Sequence, residues 1–324
     1  MSLPAAARKR IAVVIPCYNV RAKILGVIRQ LPDFVERIYV VDDACPEQTG
    51  QYVAESCSDP RIVVVTHAIN HGVGGAMVSG YQAALSDGMD IVAKLDGDGQ
   101  MDPALLAKFI QPIVDERADY TKGNRFFELE SLRSMPTLRL LGNAALSFVN
   151  KLSCGYWDLM DPTNGFTAIH AKVLRRIPLQ KLSRRYFFES DMLFRLSTLR
   201  AVVMDVPMDA RYADEKSGLK IAPVLLSFPP KYLKRMVKRF FYNYYLRDFN
   251  AASVQFLLGL LLVAFGSYWG VTHWLDSMET GVAATSGTVM LAALPLLVGF
   301  QLLIAALNYD IANVPRRCLH PMLN

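Results

Sequence analysis

Two stretches near the carboxyl end contain no charged residue: Ser253 to Val271, 19 residues, and Thr285 to Leu307, 23 residues. At about 1.5 Å of rise per residue, either can cross a hydrocarbon core of about 30 Å as a helix. A pair of buried core helices is the soluble alternative, but these runs are apolar on all faces and follow one another directly. The linker, Thr272 to Ala284, carries Asp276 and Glu279 and no Lys or Arg, whereas Lys231, Lys234, Arg235, Lys238 and Arg239 precede the pair and Arg316-Arg317 follow it. The positive-inside rule then predicts a hairpin in an inner or plasma membrane with both termini cytoplasmic.

The basic residues before the first run interleave with Tyr232, Leu233, Met236, Val237, Phe240 and Phe241. That spacing, in the stretch that follows Pro229-Pro230, predicts an amphipathic helix lying on an anionic lipid surface. The net charge of +6 and 52% hydrophobic content fit a membrane contact. Nucleic acid is not an expected partner, because no RNA-binding, zinc-finger or basic-zipper pattern accompanies the charge. Five scattered cysteines form no C-x-x-C pair, so neither a disulfide framework nor a zinc site is indicated and the compartment is reducing. The apolar run Ile11 to Ile15 is too short for a signal-peptide core. Whether the protein forms a homo-oligomer is left open.

Upstream, short β-branched runs alternate with helical stretches: IAVVIP, RIYVVDD, RIVVVTH, DIVAKLD and DYTKGN. This predicts a parallel sheet with crossover helices whose polar strand ends gather at its carboxyl edge, where open α/β sheets bind ligands. Residues from about Arg125 to Lys220 are less regular, with helices expected over Leu138–Leu152 and Glu189–Leu199 and strands over Gly165–Ile169 and Ala201–Val206. The expected division is a catalytic domain over 1–226, an interface helix over 227–250, and a hairpin with a cytoplasmic tail over 251–324.

Asp96-Gly97-Asp98 closes the fourth strand run, with Gln100 and Asp102 close behind. Two carboxylates flanking one small residue can hold Mg²⁺ or Mn²⁺ against a diphosphate, though a solvated acidic turn has the same composition. Asn70-His71-Gly72-Val73-Gly74-Gly75 opens a helix after the third strand, where glycines let backbone N–H groups approach an anion. Its spacing is neither a P-loop nor a dinucleotide fingerprint.

Seven stretches in one order, VVIPCYN, VVDDA, NHGVGGA, LDGDGQ, GNRF, DPTNGF and RYADEKSGLK, resemble the family-two glycosyltransferases with a GT-A fold. Within that family they are similar to the branch of dolichyl- and polyprenyl-phosphate sugar synthases. The resemblance runs from Ile11 to about Lys220. It implies a Rossmann-like, mostly parallel α/β domain and a nucleotide-sugar donor, with Pro16, Tyr18, Asn19 and Asp43 lining the nucleoside pocket and Gly72 and Gly75 near it. Asp96 and Asp98, with Gln100, would hold the metal and the donor diphosphate. Arg125 would lie near the phosphates; Arg211, Ser217 and Lys220 would close over them or over the acceptor, to which Asp161 also belongs.

Two departures from the family pattern carry meaning. Val20 and Arg21 stand where an acidic residue often follows the first motif. Members that glycosylate hydroxyls usually place an Asp directly after a Glu as general base, but here the order is Phe188-Glu189-Ser190-Asp191. A phosphate monoester is already anionic near neutral pH and needs no base. It needs cations, and Lys172, Arg175, Arg176, Lys181, Arg184 and Arg185 crowd one stretch. The reading is therefore inverting transfer onto a polyprenyl phosphate. The alternative is transfer onto a sugar hydroxyl of a lipid-linked saccharide, with Asp191 or Asp161 as base. A sugar nucleotidyltransferase and a non-catalytic membrane scaffold are the remaining classes; the first lacks its usual N-terminal Gly-rich motif here, and the second would not need Asp96 and Asp98.

Overall fold

The computed structural model describes residues 9–127, 137–208 and 221–324. The first elements are β1 (Ile11–Cys17), α1 (Arg21–Arg29), β2 (Val35–Asp42), α2 (Thr49–Ser56), β3 (Ile62–Thr66), α3 (Val73–Ser86), β4 (Ile91–Lys94), α4 (Leu106–Val114) and β5 (Tyr120–Asn124). There follow α5 (Thr137–Cys154), β6 (Thr167–His170), α6 (Ala171–Leu174), α7 (Phe188–Leu199), β7 (Val203–Pro207), α8 (Ile221–Phe241), α9 (Ala251–Thr280) and α10 (Ser286–Ala312). The seven strands form one sheet in the order β3-β2-β1-β4-β6-β5-β7. Strands β1 to β4 run parallel, β6 runs antiparallel to both β4 and β5, and β7 is parallel to β5.

The reversed β6 puts its amino end, and the turn Asp161–Phe166 before it, at the same edge as the carboxyl ends of the other strands. That is how a distant segment reaches the ligand edge. One face of the sheet packs Val13, Ile15, Ala93, Leu95 and Ala168 against Ile24 and Val27 of α1 and Phe109 and Ile110 of α4, with Phe166 stacked on Phe109 at 3.8 Å between ring centroids. The other face carries a polar row, since the register aligns Lys94 with Thr167, Thr167 with Lys122, and Lys122 with Asp205. Lys94, Thr167 and Lys122 are almost fully buried. Burial lowers the Lys122 pKa to about 8 and raises that of Asp205 to about 6.

The chain divides into two compact units, residues up to Met236 together with Pro315–Asn324, and Val237–Val314. In the first, the tail is anchored by Asp119, whose buried carboxylate accepts the Leu319 and His320 amides, each at 2.9 Å, His320 Nδ1 at 2.8 Å and the Val202 amide at 2.8 Å. Asp119, Cys318 and His320 approach within 4.8 Å of one another. With so many donors on its two oxygens, Asp119 serves as a clasp for the tail.

In the second unit, α9 and α10 are long and apolar enough to cross a membrane, and their Leu257, Leu261, Phe265, Leu297 and Phe300 side chains are exposed. Gly259 and Gly299 bring the two backbones together: a Cβ on Gly259 would lie 3.0 Å from the Gly299 carbonyl oxygen. The expected linker is shorter than its charge pattern suggested, because α9 continues through Asp276 and Glu279 to Thr280 and ends at Gly281 in the left-handed region, φ +69°. Pro229-Pro230 likewise does not precede the basic helix but lies inside α8. The basic stripe is also not wholly solvated. Arg235 pairs with Asp191 at 2.6 Å, and the buried Arg239 makes a two-pronged bond to Asp310 at 2.7 and 3.0 Å.

Candidate active site

The strand β4 delivers its last side chain, Lys94, and then Asp96 to one face of the carboxyl edge, by the alternation of an extended chain. Lys94 Nζ lies 3.0 Å from Asp96 Oδ1 and 3.2 Å from Glu189 Oε1, in the first turn of α7. Burial works against its charge, but the two carboxylates outweigh it and raise the Lys94 pKa, so the ammonium persists. The Asp96 side chain keeps 32% of its surface exposed. Asp98 and Gln100 are partly exposed beside it, and Asp98 Oδ1 accepts the Gln100 amide at 3.0 Å. Gly165 closes over this group; a Cβ there would stand 2.6 Å from both Asp96 Oδ2 and Lys94 Nζ.

At the end of β1, Tyr18 is 49% exposed and Asn19 takes a left-handed backbone, φ +56°, with its amide 3.1 Å from Cys45 Sγ. Pro16 is partly exposed on the same strand end. Asp43 is different. It is buried, and its carboxylate accepts the His71 and Gly72 amides at 2.8 and 2.7 Å and His67 Nδ1 at 2.7 Å. Three of its acceptor positions are taken by the loop it organises, so Asp43 holds that loop in place at the strand end. The glycines of that loop also serve a different close approach. A Cβ on Gly72 would stand 2.6 Å from the Arg184 carbonyl oxygen, one on Gly74 2.1 Å from that of Ser183, and the Gly75 amide donates to Arg184 O at 3.1 Å. The backbone of 183–185 packs directly against these glycines.

Arg125 follows β5 and grips Asp161, Nε to Oδ2 at 2.7 Å and Nη2 to Oδ1 at 3.1 Å. Burial would raise the Asp161 pKa, but this fork outweighs it and lowers it. Asp161 is fully buried, so it positions Arg125 and does not face a substrate. Asp191, fully buried too, receives Arg235 at 2.6 Å, Arg195 at 3.3 Å and the Ser183 amide at 2.9 Å. A carboxylate so enclosed is an anchor for α8, which tells against the alternative in which it or Asp161 is the base. Ser190 is sealed as well, its hydroxyl 2.8 Å from both Tyr232 Oη and Asn150 Nδ2.

The profile of glycosyl transferase family 2 matches residues 12–178, more than half of the chain. The chain belongs to this family. It is thus a glycosyltransferase, with a GT-A-like fold. Among relatives of this glycosyltransferase is the UDP-N-acetylglucosamine–dolichyl-phosphate N-acetylglucosaminyltransferase of Methanococcus voltae, 29% identical over 72% of this chain and 97% of the relative. The undecaprenyl-phosphate mannosyltransferase of Micrococcus luteus is 30% identical over 61% of this chain and 82% of its own. Glucosyl-3-phosphoglycerate synthase from Mycobacterium tuberculosis, solved with UDP, shares the fold with TM-score 0.54 and 18% identity, over 71% of this chain and 80% of that one. The same enzyme has been solved with Mn²⁺, UDP and phosphoglyceric acid, with TM-score 0.53 and 18% identity.

In this glycosyltransferase the fold gathers Pro16, Tyr18, Asn19, Asp96, Asp98, Gln100, Arg125 and Asp161 at one edge of the sheet. Arg211, Ser217 and Lys220 lie outside the described residues. The cationic stretch divides: Lys172, Arg175 and Arg176 follow the carboxyl end of β6, at the opposite edge, while Arg184 and Arg185 sit against the Asn70–Gly75 loop. Sequence reasoning assigned no role to Lys94, Glu189 or Gly165. A charged residue inside the apolar run IVAKL was the available signal for Lys94, because a buried ammonium requires carboxylate partners.

Proposed function

We propose that this glycosyltransferase moves a sugar from a nucleotide donor to a polyprenyl phosphate at the cytoplasmic face of the membrane, with inversion at the anomeric carbon. Asp96 and Asp98 offer hard oxygen atoms on a partly exposed turn, a donor set suited to Mg²⁺ or Mn²⁺, with Gln100 adjacent. Such a cation, when bound, would neutralise the leaving nucleoside diphosphate. Tyr18 and Asn19 would hold the nucleoside, and Arg125, aimed by Asp161, would add positive charge for phosphate oxygens.

The observation that carries the acceptor assignment is the state of the Glu189-Ser190-Asp191 turn. Ser190 stands at the usual base position, bonded to Asn150 and Tyr232, and Asp191 is enclosed by two guanidinium groups. An acceptor that brings its own negative charge needs no proton removed, so a phosphate oxygen can attack from the face opposite the leaving group. The relatives named for dolichyl and undecaprenyl phosphates, and two helices able to span a membrane, support a lipid-borne phosphate. A hydroxyl acceptor is the second reading. It would need Glu189, joined to Asp96 through Lys94, as its base.

Detergent-solubilised protein with undecaprenyl phosphate, a panel of UDP-, GDP- and dTDP-sugars and Mn²⁺ tests this. Release of nucleoside diphosphate from one donor, dependent on the lipid phosphate, is expected; release of pyrophosphate, or no turnover with any lipid phosphate, would overturn it.

A further inference from the structure

Lys94 sits where two parts of the catalytic unit meet the donor turn. It ends β4, is 1% exposed, and reaches Asp96 on its own strand end and Glu189 on α7, 95 residues away in sequence. The turn before β6 presses on the same pair through Gly165. The Glu189 side chain is 12% exposed, and the Lys94 ammonium lies 3.2 Å from it. Counted as ordinary charges, Asp96, Asp98 and Glu189 bring three negative charges to the edge and Lys94 one positive. The balance of two is the charge of one divalent cation.

We propose that Lys94 is the positioning residue of this active site, an internal cation that holds Asp96 and Glu189 in place and competes with the catalytic metal for Asp96. The inference rests on the metal reading given above. It has a consequence opposite to that of an ordinary structural lysine. A lysine that only supported the fold would, when removed, loosen the turn and weaken metal binding. A lysine that shares Asp96 with the metal restrains metal binding, and its removal frees a carboxylate oxygen and adds one negative charge. The metal is then held more tightly and the leaving diphosphate, facing excess negative charge, is stabilised less.

Mn²⁺ alone is the probe, titrated into the full-length protein in detergent and followed by electron paramagnetic resonance, with turnover measured in parallel. Lys94→Met should bind Mn²⁺ at least tenfold more tightly, about 1.4 kcal/mol, while turnover falls at least tenfold. Glu189→Gln leaves the ammonium to Asp96 alone and should weaken Mn²⁺ binding. The double variant Lys94→Met/Glu189→Gln restores the balance of two and should return Mn²⁺ affinity to within about threefold of the parent. It also removes both groups that would otherwise be left buried without a partner, so it reports even if Lys94→Met alone folds poorly. Unchanged or weaker Mn²⁺ binding in Lys94→Met, or a double variant that binds Mn²⁺ no more tightly than Glu189→Gln, would overturn the proposal while leaving the metal reading intact. Failure of the parent to bind Mn²⁺ more tightly than Asp98→Asn would overturn both.

Discussion

Substituting Asp191 by Asn separates an anchor from a base. Asp191 is fully buried and meets Arg235 at 2.6 Å and Arg195 at 3.3 Å, with the two guanidinium side chains 18% and 11% exposed. Removing one partner of a buried ion pair costs about 3–5 kcal/mol, because the remaining charge stays desolvated. Asn retains an acceptor for the Ser183 amide, so the low end, about 3 kcal/mol, is the appropriate figure. At about 2–4 °C per kcal/mol for a domain of this size, the melting temperature should fall by roughly 6–12 °C. The folded fraction, assayed well below the transition at saturating donor and acceptor, should keep its turnover within a few-fold. A lost general base would instead reduce the rate about 10²–10⁴-fold. Fluorimetric melting with initial rates at 20 °C decides between them; a native melting temperature together with a rate loss above about 10²-fold would refute the anchor.

Asp98→Asn should abolish turnover with an unchanged melting temperature, and excess EDTA should do the same to the parent; near-native activity in either case removes the metal from the reaction. His170 is buried beneath the His320 ring, and burial first, then the neighbouring His320, lowers its pKa from 6.5 to about 4. The unfolded chain therefore takes up the proton that the folded chain refuses, so this residue costs stability as pH falls from about 6.5 towards 4. His170→Asn, which keeps an acceptor for the Lys172 amide, should flatten that slope relative to the parent in melts across the same range. For the membrane orientation, Ala284→Cys, between the two long helices, should react with an impermeant thiol reagent in intact cells; reaction only after permeabilisation would reverse it.

Much of the catalytic unit was legible because strands buried on both faces, such as β1 and β4, write themselves as short apolar, β-branched runs. The reversed β6 was visible as a strand but not in direction, since only pairing with β4 and β5 fixes that. The Asp96–Asp98 turn at the end of β4 was legible as a polar strand end, because its spacing follows from local geometry. What remained hidden depended on contacts between distant segments. Gly72 and Gly74 announce a close approach, but not that the 183–185 backbone makes it. Nothing in the sequence told that Asp43 holds the amides of the His71-Gly72 loop. The basic periodicity of α8 was correct as a pattern, yet Arg235 and Arg239 turn inward because Asp191 and Asp310 await them from other helices. Pro229 and Pro230 lack the backbone N–H groups a helix uses. The helix continues through them, with Phe228 and Tyr232 on either side packed against Phe187.

The chemistry of the product linkage bears most directly on the central claim. With undecaprenyl phosphate and a radiolabelled sugar donor accepted in the panel, the labelled lipid should release its sugar in mild acid, because a sugar–phosphate–lipid bond is an activated glycosyl phosphate. It should form with no basic limb in the pH–rate profile attributable to a general base. A labelled lipid that survives mild acid, or that forms only when the acceptor already carries a saccharide, would contradict transfer onto phosphate.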